Sequence, residues 1–156
     1  MAVKPIPDGY HSVTPYLIPH DATAALEFYK KALGAVELMR FPAPGGKIGH
    51  AEIKIGDSPV MLADENPEMN ARSARTIGGS PISLMVYVKD VDALVAQAVA
   101  AGAKLVRPVA NQFYGDRTGG IDDPFGFHWY IATHIEDVPP EELEKRAAKA
   151  KGGGGD

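Results

Sequence analysis

The chain of 156 residues contains no cysteine. This absence excludes disulfide bonds, thiolate metal sites and a cysteine nucleophile. The chain also lacks any apolar run near the roughly 18 residues that a membrane helix needs. Residues 1–10 contain no apolar run of the kind a signal peptide requires. We therefore expect a cytoplasmic protein that has no membrane partner.

Basic residues are also scarce. Lysine and arginine number 16 against 20 aspartates and glutamates, which gives a formal net charge of −4. No basic stripe interleaved with aromatic residues is visible, so nucleic acid is not an expected partner. The sequence has no GxSxG, HExxH or Walker motif and no glycine fingerprint after a strand, which argues against the enzyme classes that use them. A small-molecule ligand is the expected partner.

One segment of the sequence occurs twice. Residues 14–35 read TPYLIPHDATAALEFYKKALGA, and residues 83–103 read SLMVYVKDVDALVAQAVAAGA. Each copy has a strand-like run, an Asp that can cap a helix (Asp21 and Asp90), apolar residues at helical spacing, and a closing Gly-Ala. The pattern predicts helices over 22–33 and 91–101, each preceded by a strand.

Each helix is followed by further strand-like runs. We predict strands over 12–18, 36–41, 49–55 and 60–64 in the first half, and over 82–88, 104–108, 112–114, 117–121 and 128–132 in the second. The predicted organisation is an N-terminal arm (1–10), a first βαβββ module (11–66), a linker loop (67–80), a second βαβββ module (81–136), and a C-terminal helix with a disordered tail (137–156).

Three motifs carry a resemblance to a known family: TPYLIPHDATAALEFYKKALGA, HAEIKIGDSPVMLADE and FYGDRTGGIDDPFG. In this order they resemble the vicinal oxygen chelate superfamily, which includes glyoxalase I, bleomycin-resistance proteins and extradiol dioxygenases, and within it the PhnB-like branch. The resemblance covers residues 10–136. It implies an α+β fold in which two βαβββ modules form a curved mixed sheet around a cleft, with helices on the convex face. It also implies a homodimer, and leaves open whether modules pair within one chain or across two.

Metal-dependent members of that superfamily place one ligand on the first and one on the last strand of each module. Counted from Asp21, Asp90 and the turns before the last strands, these positions are Thr14, Leu62, Ser83 and Tyr130. None is a usual ligand of a divalent ion, which prefers imidazole or carboxylate. We therefore expect neither a metal nor another cofactor. The count also predicts that Leu62 projects into the cleft and that Met61 and Ala63 face the helices.

The strand over 49–55 alternates cleanly, so Ala51, Ile53 and Ile55 should meet a helix and the polar residues between them should face the cleft. The predicted ligand-binding residues are Tyr16, His50, Glu52, Leu62, Asp64, Tyr87, Tyr114, Arg117, His128 and Tyr130. Of these, His50, Glu52 and His128 are candidates for catalysis. The segment FYGDR suits either a rim that holds ligand or an Asp116–Arg117 pair that holds its loop.

Two functions remain open. The first is metal-free binding of a small organic molecule, as in bleomycin-resistance proteins. The second is an enzyme of the lyase, isomerase or dioxygenase type, which would use His/Glu acid–base chemistry or a divalent metal in an unusual place. The sequence does not identify the ligand.

Overall fold

The computed structural model describes residues 2–152 of the chain. Its first half contains strand β1 (Tyr16–Leu17), helix α1 (Ala22–Leu33) and strands β2 (Val36–Ala43), β3 (Lys47–Ile55) and β4 (Ser58–Leu62). A short helix α2 (Ala74–Ile77) follows. The second half contains β5 (Ser83–Tyr87), α3 (Val91–Ala101), β6 (Lys104–Asn111), β7 (Asp116–Asp122) and β8 (His128–His134), and the last helix is α4 (Pro140–Gly152).

The strands form two four-stranded mixed sheets with the orders β1-β4-β3-β2 and β5-β8-β7-β6. In each sheet the first strand pairs in parallel with the last, and the remaining pairs are antiparallel. The two halves therefore repeat the same βαβββ order, and the predicted α+β fold class is confirmed.

The two long helices begin and end at the residues that the repeat indicates. Asp21 accepts a hydrogen bond from the amide of Ala24, and Asp90 accepts one from the amide of Ala93. Gly34 and Gly102 end the helices in the left-handed region, with φ of 66° and 119°. Each helix thus has both of its ends satisfied by residues of its own repeat.

A buried carboxylate joins the two halves of the chain. Asp123, in the turn between β7 and β8, accepts hydrogen bonds from the Tyr29 hydroxyl of α1 at 2.6 Å and from the Trp129 indole at 2.9 Å. It also accepts the backbone amides of Phe125 and Phe127. Burial raises the pKa of Asp123, and burial together with that carboxylate raises the pKa of Tyr29. The apolar core continues across this contact.

Several elements differ from their predictions, each for a local reason. The first strand is confined to Tyr16–Leu17, because Pro15 has no N–H to extend the ladder. Residues 112–114 lie in a turn. Gly115 has φ of 100°, and the Gln112 amide donates a hydrogen bond to the backbone oxygen of Asp116. The linker contains α2, whose amino end is capped by the buried Ser73.

The C-terminal helix is attached to the second half of the chain. It begins at Pro140, close to the predicted start. Arg146 makes an i, i+4 pair with Glu142, and it also binds Glu136 and the backbone oxygen of Phe113. The part of the predicted disordered tail after Gly152 lies outside the described residues. Among residues 2–152, no helix is both long and apolar enough to span a membrane.

Candidate functional site

Each sheet has one face that packs on the helices and an opposite face, which we call the cleft face. In the first sheet, register places Tyr16 beside Met61, Met61 beside Glu52, and Glu52 beside Met39. These four side chains form one row across all four strands of the cleft face. Ala51, Ile53 and Ile55 are buried on the other face, as their alternation predicts.

A chain of hydrogen bonds occupies this face. The Tyr16 hydroxyl lies 2.9 Å from His50 Nδ1, and His50 Nε2 lies 3.0 Å from Glu52 Oε1. Tyr10, from the N-terminal arm, donates to the other oxygen of Glu52. Because a carboxylate only accepts, the neutral His50 ring is assigned its proton on Nε2, which leaves Nδ1 to accept from Tyr16. Glu52 is 6% exposed and Tyr16 is 47% exposed, so the chain leads from the interior to the cleft.

A pocket of about 760 Å³ opens beside Tyr16. Its lining includes Ile18, Ile48 and Ala63 and the segment 65–69 that follows the last strand of the first half. Burial raises the pKa of the Tyr16 phenol, so its hydroxyl stays protonated at neutral pH. The pocket therefore combines apolar residues with Tyr16 and with charged residues, which are Lys47, Asp64, Glu65 and Glu68.

The cleft face of the second sheet carries a different set of side chains. Register places Met85 beside Tyr130, Tyr130 beside Gly120, and Gly120 beside Arg107. The Arg107 guanidinium carbon lies 5.6 Å from the centroid of the Tyr130 ring. The ring of His128 meets that of Tyr130 edge to face, with centroids 4.4 Å apart. His128 and Tyr130, both predicted from the sequence, are thus brought together.

A second polar cluster lies at the end of the same sheet. Tyr87 donates to Asp116 Oδ2 at 2.8 Å, and His134 Nδ1 lies 2.7 Å from Asp116 Oδ1. The other ring nitrogen of His134 lies 2.7 Å from Asp137. Hydrogen bonds to Asp137 and then Asp116 raise the pKa of His134, and the bond to Asp116 raises that of Tyr87. Tyr87 is therefore held by a carboxylate beside the cleft.

Several predicted site residues lie elsewhere. The prediction that Leu62 projects into the cleft is wrong: it is 0% exposed and belongs to the core. Asp64 borders the pocket, but its two oxygens accept the backbone amides of Ala22 and Ile48, so it holds α1 to β3. The proposed Asp116–Arg117 pair is absent, because Arg117 binds Asp92 of α3 through two hydrogen bonds. Tyr114 lies half-exposed in the turn before β7.

Sequence reasoning missed Tyr10, Arg107 and His134. Tyr10 comes from a proline-rich arm in which no periodicity points to a partner. Arg107 belongs to a strand whose pairing with β7 shifts register on both sides of it, so alternation could not assign its face. His134 lies just past the predicted end of the last strand, and a strand extended by two residues would have included it.

The residues at the ligand positions of the metal-dependent relatives do not fit a divalent ion. At the last strand of the first half, Met61 faces the cleft where the count had placed Leu62. With Thr14, Ser83 and Tyr130, the set offers two aliphatic hydroxyls, a phenol and a thioether, instead of imidazole and carboxylate. Within residues 2–152, no group of three or more His, Asp or Glu side chains is arranged to hold an ion.

Comparisons with known proteins agree with this architecture. The sequence of residues 10–131 matches the family Glyoxalase/Bleomycin resistance protein/Dioxygenase superfamily. An uncharacterized protein of Mycobacterium bovis is 40% identical over 136 residues, which is 85% of this chain and 90% of that protein.

Solved structures show the same fold. TioX from Micromonospora sp. ML1 is 25% identical with a TM-score of 0.63, covering 83% of this chain and 100% of that one. The PhnB protein from Bacillus cereus is 16% identical with a TM-score of 0.61, covering 79% of this chain and 99% of that one. At this identity the similarity to PhnB concerns the fold alone.

Proposed function

Because the chain belongs to the Glyoxalase/Bleomycin resistance protein/Dioxygenase superfamily, we propose that it binds a small organic molecule at the cleft face of its first sheet. The observation that carries this proposal is the pocket of about 760 Å³ beside Tyr16. Ligand pockets in proteins have volumes of about 300 to 1,000 Å³, with mostly apolar walls and a few polar groups that orient the ligand. Tyr16 is such a group, and His50 fixes its hydroxyl.

The proposed binding needs no divalent metal. Thr14, Met61, Ser83 and Tyr130 are poor ligands, whereas a thioether and a phenol make good contacts with an organic molecule. The same side chains that do not fit an ion therefore support binding of a carbon-rich ligand.

We also propose that the protein is a cytoplasmic homodimer. Large apolar side chains are exposed on both cleft faces, and contiguous exposed apolar surface marks interaction sites. The exposed side chains include Tyr16, Met39, Phe41, Met85 and Tyr87. Light scattering that gives the mass of one chain would contradict the dimer. The cytoplasmic location is consistent with the absence of cysteine.

The binding proposal predicts thermal stabilisation by cleft-sized ligands. In a panel of aromatic metabolites and antibiotics, a compound at about 100 times its dissociation constant should raise the melting temperature by roughly 5 to 10 °C. The shift should persist in excess EDTA, because no metal takes part. Tyr16→Ala should reduce it, whereas Phe113→Ala, which removes a partly exposed aromatic ring outside the pocket, should not. A panel without any stabilising compound would contradict the proposal.

A second candidate function is acid–base catalysis, and the hydrogen-bonded chain of Tyr16, His50 and Glu52 favours it. A ligand C–H beside the Tyr16 oxygen could pass its proton to that oxygen while the Tyr16 proton moves to His50 Nδ1. Glu52, held by Tyr10, would stabilise the resulting imidazolium. The ligand retains the electron pair as a carbanion, and the reverse transfer returns the proton. This step is half of an isomerisation and needs no co-reactant.

The catalytic candidate predicts proton exchange in bound ketones. Aryl ketones from the binding panel, acetophenone among them, should exchange their α-protons for deuterium in D₂O, as followed by ¹H NMR. His50→Gln and Tyr16→Phe should slow this exchange by about 100-fold or more, since a positioned acid–base group contributes that much. His11→Gln, on the exposed arm, is the matched control. Exchange that is unaffected by His50→Gln would exclude this relay.

A further inference from the structure

The cleft faces of the two sheets carry opposite charges, Glu52 on β3 of the first and Arg107 on β6 of the second. In the first sheet the row runs from Tyr16 through Met61 to Glu52, and in the second it runs from Met85 through Tyr130 to Gly120 and Arg107. A buried carboxylate therefore belongs to the first row and a guanidinium to the second. An anionic group is disfavoured beside Glu52 and favoured beside Arg107.

Arg107 has no carboxylate partner among residues 2–152. Its guanidinium lies over the Tyr130 ring, a position that orients the planar group without using its N–H donors. The side chain is exposed, so its donors remain accessible from the cleft. A planar fork of unused N–H groups is the arrangement that binds carboxylate and phosphate oxygens in pairs.

His128 adds an unused nitrogen next to Arg107. Its Nδ1 lies 2.8 Å from Asp122 Oδ1, which fixes the ring, while its Nε2 is buried without a hydrogen-bond partner. Buried polar atoms normally have partners, so an unpaired one needs an explanation. Nε2 can accept from an acidic O–H of a ligand, or donate to an oxygen once it is protonated.

Gly120 lets these two side chains approach each other. A Cβ at this position would lie 3.1 Å from Arg107 Cβ and 3.2 Å from His128 Cε1. A larger residue would therefore require the arginine stem or the imidazole edge to move away by a few tenths of an ångström. The absence of a side chain at Gly120 brings a fixed cation and an unpaired ring nitrogen together against Tyr130.

From this cluster we infer that the ligand carries an oxyanion, a carboxylate or a phosphonate, which binds to Arg107 and His128 over Tyr130. The inference rests on the proposed function and specifies its ligand class. Arg107 supplies paired N–H donors, Nε2 of the protonated His128 ring donates a third hydrogen bond, and the Tyr130 ring contacts the apolar part of the ligand. Neutral analogues of the same shape lack the group that Arg107 recognises.

The test compares matched probes by NMR titration of the ¹⁵N-labelled protein. Benzoate and benzamide have nearly the same shape and differ in charge, and phenylphosphonate separates a tetrahedral oxyanion from a planar one. At least one anion should bind about tenfold or more tightly than benzamide, because a charge-assisted hydrogen bond contributes at least that factor. Arg107→Gln should remove this preference. Arg75→Gln, the same change at an exposed arginine of α2, should leave it intact.

Gly120→Ala provides an independent variant. The added methyl group should weaken anion binding by pushing Arg107 and His128 apart, while neutral compounds bind the pocket beside Tyr16 as before. Equal affinity for benzoate, phenylphosphonate and benzamide, or an anion preference that survives Arg107→Gln, would overturn the inference while leaving the proposed function standing. If neither the probes nor any panel compound binds, both are overturned.

Discussion

Replacing Asp123 with alanine should lower the free energy of unfolding by about 3 to 5 kcal/mol, because it leaves four buried hydrogen-bond donors without their acceptor. The carboxylate is 6% exposed and accepts four hydrogen bonds. Its removal leaves the Tyr29 hydroxyl, the Trp129 indole and two backbone amides without their acceptor in the interior. Urea unfolding followed by Trp129 fluorescence measures the change directly.

Asparagine at the same position changes the hydrogen bonds but keeps the side-chain volume, so it measures their contribution alone. Its amide oxygen can still accept the backbone amides of the turn, and the Tyr29 hydroxyl can rotate to accept from the amide nitrogen. The Trp129 indole only donates, so it would face a second donor, and we expect a cost of about 1 to 3 kcal/mol. Asp122→Ala, which removes an adjacent and half-exposed carboxylate, is the control and should cost under about 1 kcal/mol. A loss for Asp123→Ala no larger than that of Asp122→Ala would contradict the network.

The difference in stability between the wild type and Asp123→Asn should depend on pH with the sign of the Asp123 shift. Burial raises the pKa of this carboxyl above its ordinary value of 3.8, so the folded state binds the proton more tightly than the unfolded state. The contribution of Asp123 to stability therefore falls as the pH rises from the ordinary to the raised pKa. Asp123→Asn lacks this contribution, so the stability of the wild type relative to the variant should fall as the pH rises through that interval.

The βαβββ repeat was predictable because its signals are local. The helix-capping residues Asp21 and Asp90 and the terminal glycines Gly34 and Gly102 act within a few positions of the helices that they delimit. Strand β3 was also assigned to the correct face. The seven residues 49–55 alternate regularly and leave only one way to bury the apolar set.

The candidate site was less predictable because it depends on distant partners. Asp64 is of a residue type that often binds ligands, yet its oxygens accept hydrogen bonds from the backbone amides of Ala22 and Ile48. Glu52 was expected in the cleft, but it is buried and accepts a hydrogen bond from Tyr10, which lies 42 positions earlier. Neither partner is marked by spacing or periodicity, and only the folded chain brings them together.

The faces of strand β4 could not be assigned from its sequence. The run from Pro59 to Ala63 is apolar throughout, so alternation gives no face, and a count that is one residue off turns every side chain over. Pairing with β3 decides the face, because Ala51 lies opposite Leu62 and Glu52 lies opposite Met61. The same ladder puts Leu62 beside Leu17 in the core and Met61 beside Tyr16 at the cleft.

Truncating Leu62 should therefore affect mainly stability, and truncating Met61 should affect mainly ligand binding. Leu62→Ala should lower the free energy of unfolding by about 2 to 5 kcal/mol, because it empties a fully buried site. Met61→Ala should cost under about 1 kcal/mol, since its half-buried side chain meets solvent at the cleft. Met61→Ala should instead reduce the thermal shift that panel ligands produce, while Leu62→Ala should preserve it at temperatures where the variant is folded. Stabilities in the reverse order would mean that β4 pairs with β3 one residue away from the register described, and Leu62 would then return to the cleft as a ligand contact.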